Sequence, residues 1–179
     1  MREYMKLGVR ELLAVGTALY ASAGYATVYF NVEQAQNTML PGAVWTAAPL
    51  SLSDAQRKAI SSRSGVAVRD TNLKIWRAAG GESFYVDQVL GKHEFITYAV
   101  LIDASGAVQA IEVMAYRETY GDQVRNPKWR AQFRGKRDGA ALKLDHDIKN
   151  ISSATLSCKH ITDGVKRLLA THALLAAHA

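Results

Sequence analysis

Phe95-Ile96-Thr97-Tyr98-Ala99-Val100-Leu101-Ile102, then Asp103-Ala104-Ser105-Gly106, then Val108-Gln109-Ala110-Ile111-Glu112-Val113-Met114-Ala115-Tyr116, is the stretch that decides the fold. The first run is rich in β-branched and aromatic residues, and the middle is a turn by composition. The return run alternates. Ile111, Val113 and Ala115 are expected on one face, with Glu112, Met114 and Tyr116 on the other. Neither face is wholly polar. Both are therefore expected to be partly covered, as in an α+β domain whose antiparallel sheet has helices on it.

Working outward, Ser83 to Leu90 and Leu73 to Arg77 read as further strands, separated by the loop residues Gly80-Gly81. Ser53-Asp54 is a helix start, with Ala55 to Ser62 as a short helix stopped near Gly65. Thr27 to Val32 is β-like, and Pro41-Gly42 marks a turn. Downstream, Asn126-Pro127 opens a short helix, because Asn caps well and Pro is pre-organised for the first helical position. Trp129 and Phe133 then share a face. Leu142 and Leu144 flank Lys143 as a short alternating strand. The last helix is predicted from about Ser157 to Ala176. Ile161, Val165, Leu168, Leu169 and Leu175 form its apolar stripe, and Gly164 suggests close packing on the sheet. The expected architecture is thus an antiparallel sheet with a central hairpin, packed by short helices and a C-terminal helix.

With 179 residues, 49% hydrophobic and 21% charged, the chain has enough apolar material for one folded domain. The net charge of +6 comes from scattered Lys and Arg. No basic stripe interleaved with aromatics stands out, so nucleic acid is not an expected partner. The single Cys158 excludes an internal disulfide and Cys-paired metal or haem motifs. The histidines lack metal-ligand spacing, and neither a Gly-x-Gly-x-x-Gly after a strand nor a Walker motif is present.

The N-terminus reads as a targeting segment. Arg2, Lys6 and Arg10 make a positive region, and Leu12 through Ala23 an apolar run. Ala21-Ser22-Ala23 has the small-x-small form of a cleavage site. The run is short for a membrane span. Residues 1–26 are therefore expected to be a signal peptide or N-terminal anchor, and residues 27–179 the functional domain. An amphipathic first helix of the domain is the alternative, supported by Glu11 at the edge of the run.

The chemistry centres on Ile151-Ser152-Ser153-Ala154-Thr155-Leu156-Ser157-Cys158. Small residues run up to a threonine at a helix start. Small side chains let backbone approach a ligand, and free N–H groups at a helix N-terminus attract a phosphate. Read alone, Thr155 is equally an ordinary helix cap, and Ser152, Ser153 and Ser157 ordinary turn residues. Upstream, Glu118-Thr119-Tyr120-Gly121 follows the hairpin, with Gly121 expected at positive φ; Phe133, Gly135 and Lys136 come later.

In order and spacing, these segments over roughly residues 80–170 resemble the FMN-binding domain family. Its members carry Glu-Thr-x-Gly, Phe-x-Gly-Lys and Ser/Thr-Gly-Ala-Thr, with Ser153 here where glycine is usual. The resemblance implies FMN as cofactor, joined in flavinylated members through a phosphoester to the threonine, here Thr155. Ser152, Ser153, Ala154 and Ser157 would lie by the phosphate. Glu118 and Thr119 would line the flavin site, with Glu118 away from the phosphate and bonded to backbone or sugar hydroxyls. Read from the residues, Lys136 and Lys159 are candidates to balance phosphate charge, and Trp129, Tyr116 and Tyr120 are candidates to pack on the flavin ring, although a Trp four residues before a Phe is more often a core residue and Lys159 is equally placed to point to water. Flavinylated members usually have an aspartate six residues before the threonine. This chain has Lys149 there, and Asp147 two residues further away.

The implied role is an extracytoplasmic electron carrier, periplasmic or membrane-associated and facing the periplasm. Its implied partners are a flavin transferase and membrane or periplasmic redox proteins. Two other classes stay open: an FMN-dependent reductase of a small acceptor holding its flavin non-covalently, and a non-redox binding module.

Overall fold

Among residues 27–177, which the computed structural model describes, the chain forms seven strands and four α-helices. In chain order they are β1 (Thr27–Val28), α1 (Val32–Met39), β2 (Trp45–Ala47), β3 (Leu50–Ser51) and α2 (Asp54–Ser64). Then follow β4 (Asn72–Ala78), β5 (Ser83–Leu90), β6 (Phe95–Ile102) and β7 (Val108–Tyr116). The short α3 (Pro127–Arg130) and the long α4 (Thr155–Ala176) complete the fold. The expected targeting segment at residues 1–26 lies outside the described residues.

The strands form one antiparallel sheet in the order β1-β7-β6-β5-β4-β2, with β3 also paired to β4. The hairpin of β6 and β7 spans the expected residues. Gly106 closes its turn at φ 80, and the Asp103 carboxylate accepts from the Ser105 and Ala107 backbone N–H groups. The chain is an α+β domain, with helices on both faces of this sheet.

One face is covered by α4. Ile161, Val165, Leu168 and Leu169 pack on Tyr98, Val100, Ile111 and Val113. Gly164 allows the closest approach: a Cβ there would overlap the Tyr98 ring and lie 2.9 Å from Val89 Cγ1. The other face carries Ala35 of α1 with Phe84, Ala99 and Met114, and Trp45 and Trp76 close around the Phe84 ring.

Three local expectations are corrected. First, Thr27 to Val32 is not one strand. β1 ends at Val28, because Asn31 and Gln34 form a reciprocal capping box that starts α1. Second, Leu142 to Leu144 is not a strand; the Asp147 carboxylate gathers the Leu142 and Lys143 N–H groups into a tight loop, and Leu142 sits at φ 41. Third, the alternation along β7 breaks. Thr97 faces Ala115 while Tyr98 faces Val113, so Met114 is an extra residue, a β-bulge. The bulge turns Tyr116 to the α4 face, beside Ile111 and Val113.

Candidate functional site

The re-aimed Tyr116 ties two distant pieces of sequence together. Its hydroxyl donates to the Tyr120 carbonyl at 2.6 Å and pairs with Ser157 Oγ at 2.8 Å. The first contact folds the Glu118–Gly121 loop back on the sheet end. The second joins that loop to the first turn of α4. Burial pushes the Tyr116 phenol up from its ordinary value, so it stays protonated and keeps its donor.

Gly121 makes the junction sterically possible. It sits at φ 98, where side chains are strained. A Cβ there would overlap the Tyr116 hydroxyl and come within 3.0 Å of Ser157 Oγ and 3.6 Å of Ala154 Cα. The loop backbone therefore lies directly against the small-residue turn that precedes α4.

That turn is a single 3-10 turn, Ser152–Ala154, and α4 begins at Thr155. Ser152, Ser153 and Thr155 are exposed, whereas Ala154, Ser157 and Cys158 are buried. Ala154 occupies the cap position and no side chain caps the helix. Thr155 is therefore not an ordinary cap. Its Oγ1 accepts from Asn150 Nδ2 at 3.1 Å and donates to the Ser152 carbonyl at 3.3 Å. An uncapped N-terminus of a 22-residue helix directs its dipole and unsatisfied N–H groups at the exposed hydroxyls.

The other expected residues take defined places. Glu118 reaches across to the β5–β6 turn, where its Oε1 accepts from the His93 N–H at 2.5 Å and the Glu94 N–H at 2.9 Å. Desolvation raises its carboxyl, but backbone donors of that turn outweigh it and hold Glu118 below the ordinary range. Its partners are backbone groups of the turn. Thr119 and Tyr120 are exposed on the same loop. Lys136 does not stand free: its Nζ pairs with Asp147 at 3.0 Å. Ser157 is held inward by Tyr116, apart from the exposed Ser152 and Ser153.

Trp129 belongs to the core. It is 4% exposed, its ring meets Phe133 edge-on at 5.1 Å, and its indole N–H donates to the Lys149 carbonyl at 2.8 Å. It is not available to stack on a ligand. Lys149 itself is exposed, with its N–H bonded to Gln132. Cys158 is fully buried and desolvation raises its thiol, which leaves it a packing residue.

Asn150 is a candidate site residue that the sequence did not single out. Its amide nitrogen holds the Thr155 hydroxyl, and its Oδ1 is buried without a donor. An acceptor without a protein donor is open to a hydroxyl or N–H of a ligand or to a water. The site thus offers an exposed hydroxyl on a positive helix end, small residues around it, and an adjacent acceptor. That donor set fits a phosphate ester carrying a polyol, which is the chemistry of FMN's ribityl phosphate.

None of the curated proteins compared matches the chain. Residues 91–170 match the family model of the FMN-binding domain. The matched span contains the Glu118–Gly121 loop, Lys136 and the Ser152–Ser157 turn, and an FMN-binding domain takes FMN as its cofactor. Over that span, somewhat less than half of the chain, it is similar to the FMN-binding domain family.

Proposed function

We propose that this chain is an extracytoplasmic flavoprotein electron carrier that holds FMN by a phosphoester to Thr155. One observation carries the reading. The Glu118–Gly121 loop and the Ser152–Thr155 turn, far apart in sequence, meet through the Tyr116–Ser157 hydrogen bond at an uncapped helix N-terminus. FMN, when bound, supplies reversible electron transfer.

The residues divide the work. Thr155 Oγ1 is the atom that forms the bond to phosphorus. It gives up its proton, and the remainder of an activated flavin nucleotide leaves. A threonine hydroxyl is a weak nucleophile with no base in contact, so a flavin transferase provides the activation. The α4 N–H groups and the Ser152 and Ser153 hydroxyls receive the phosphate oxygens. Asn150 Oδ1 accepts from the ribityl hydroxyls. Glu118 holds the β5–β6 turn beside the site. Lys136 keeps the Asp147 loop in place and acts on the phosphate only at a distance.

The partners in this reading are membrane or periplasmic redox proteins. The test is export of the chain together with a flavin transferase, followed by denaturing electrophoresis under ultraviolet light. A fluorescent band at the protein's own mass is expected. Complete release of flavin on denaturation would refute the covalent bond. A colourless protein without flavin absorbance would refute the carrier function.

A further inference from the structure

The exposed apolar surface is concentrated at one end of the sheet. Of the seven large hydrophobics exposed among the described residues, five lie there: Val28, Leu90, Phe95, Tyr120 and Leu156. Single exposed apolar side chains are ordinary, but five gathered at one end mark an interaction surface.

Topology explains the gathering. β5 ends at Leu90, β6 starts at Phe95, β7 ends at Tyr116 and β1 starts at Thr27. These strands are antiparallel neighbours, so all four termini share one end. Hydrogen bonds then join the loops. Glu118 accepts from the His93 and Glu94 N–H groups, which ties the loop after β7 to the β5–β6 turn. Tyr116 and Gly121 hold the same loop against Ala154 and Ser157, in the helical turn that carries Leu156.

Charge narrows the choice of partner. In these segments the cations Lys92, Arg117 and Lys149 stand against the carboxylates Glu94, Glu118 and Asp122, so the local charge balances. An acidic protein finds no strong field there to steer it. A lipid surface needs no such field: apolar tips enter the headgroup layer, while long cationic side chains reach the phosphates. The chain as a whole, at +6, is not repelled by anionic headgroups.

The chain outside the described residues leads to the same end. Residues 1–26 run into β1 at Thr27, which pairs with Tyr116. Only Gly24, Tyr25 and Ala26 separate β1 from the apolar run Leu12–Ala23, about 10 Å of extended chain. Before cleavage, a hold of that run on a membrane therefore brings this end of the sheet to the lipid.

We propose that this end of the domain docks reversibly on a lipid surface, with Phe95, Tyr120 and Leu156 entering the headgroup layer and Lys92 and Arg117 meeting headgroup phosphates. Contact through a few side chains is weak, so the chain exchanges between lipid and water. The docking stands apart from the FMN reading. Joined to that reading, it sets the Thr155 site against the membrane.

The experiment uses the full chain and vesicles of phosphatidylethanolamine with phosphatidylglycerol. Wild type should sediment with the vesicles. Phe95→Ser combined with Tyr120→Ser changes two exposed side chains, so it should keep the melting temperature and lose most of the sedimentation. Depth is read with brominated lipid as a quencher of tryptophan fluorescence. Val44 is the control: it is 81% exposed, against 82% for Tyr120, but it precedes Trp45, which pairs with Ala78 at the opposite end of the sheet. Tyr120→Trp should be quenched several-fold more than Val44→Trp. Wild type left in the supernatant, full sedimentation of the double variant, or equal quenching at the two positions would each overturn the docking. A chain that ignores vesicles, yet whose Tyr120→Trp emission responds to an acidic flavodoxin, overturns it in favour of a protein partner. Docking by a chain that takes up no FMN supports this proposal while the FMN reading fails.

Discussion

At the scale of single residues, Thr155 and Gly121 carry different burdens, and their variants separate chemistry from architecture. Thr155→Ala should abolish the ultraviolet-fluorescent band on a denaturing gel, since no other exposed hydroxyl starts α4. Thr155→Ser keeps the hydroxyl and should retain part of the band. Lys149→Asp restores the residue usual in flavinylated members; if attachment to the native chain is incomplete, this variant should raise band intensity. Gly121→Ala forces a side chain into a left-handed backbone and onto the Tyr116 hydroxyl. The expected cost is about 1–3 kcal/mol, read in thermal melts. Adding Tyr116→Phe removes the overlapped oxygen, so the double variant should melt higher than additivity predicts. Strict additivity would show that Tyr116 does not press on Gly121. Sequence alone placed Gly121 at positive φ and Thr155 at the start of the last helix, because both positions are typed by what the backbone must do. It did not show that Ser157 pairs with Tyr116 or Lys136 with Asp147, since both are tertiary contacts.

At the scale of elements, strands β5 to β7 were legible from their apolar runs, helix α2 from its Ser53 cap and Gly65 stop, and helix α4 from its long apolar period. Helix α1 was missed, although Asn31 and Gln34 spell a capping box, because its polar composition hides any apolar stripe. The bulge at Met114 had no local signature. Yet it decides which way Tyr116 points, and with it whether the two halves of the site meet. The β5–β6 turn gives a pH prediction at this scale. The folded Glu118 carboxyl lies below its ordinary value of 4.5. Its stabilising effect is therefore complete above the unfolded value and is lost as pH falls through the folded one. Amide exchange at His93 and Glu94 should accelerate on acidification below the ordinary glutamate range, beyond the change seen at control amides. Glu118→Gln should show fast exchange at all pH values and no such acid-dependent step. Equal acid sensitivity in both proteins would remove Glu118 as the clasp of that turn.

For the whole molecule, location decides whether the proposed carrier role is workable, because that proposal puts the transferase and redox partners outside the cytoplasm. Among the described residues no helix is long and apolar enough to cross a membrane. In residues 1–26 a positive region, an apolar run and a small-x-small site follow one another. The run from Leu12 to Ala23 is shorter than the ~20 residues of a stable span. Cleavage with release is thus the expected outcome. Beyond that segment, β1 pairs with β7 from Thr27 onward, so the sheet edge begins just past the site. Cleavage after Ala23 would leave the β1–β7 pairing whole and the flavin site untouched. N-terminal sequencing of chain from its native compartment should read a start at Gly24 or Thr27, in a periplasmic fraction that also carries the fluorescent band. An intact Met1 in the membrane fraction would convert the free carrier into an anchored one. An intact Met1 in soluble cytoplasm would defeat export, because the proposed flavin transfer and the proposed redox partners would then lie on the other side of the membrane.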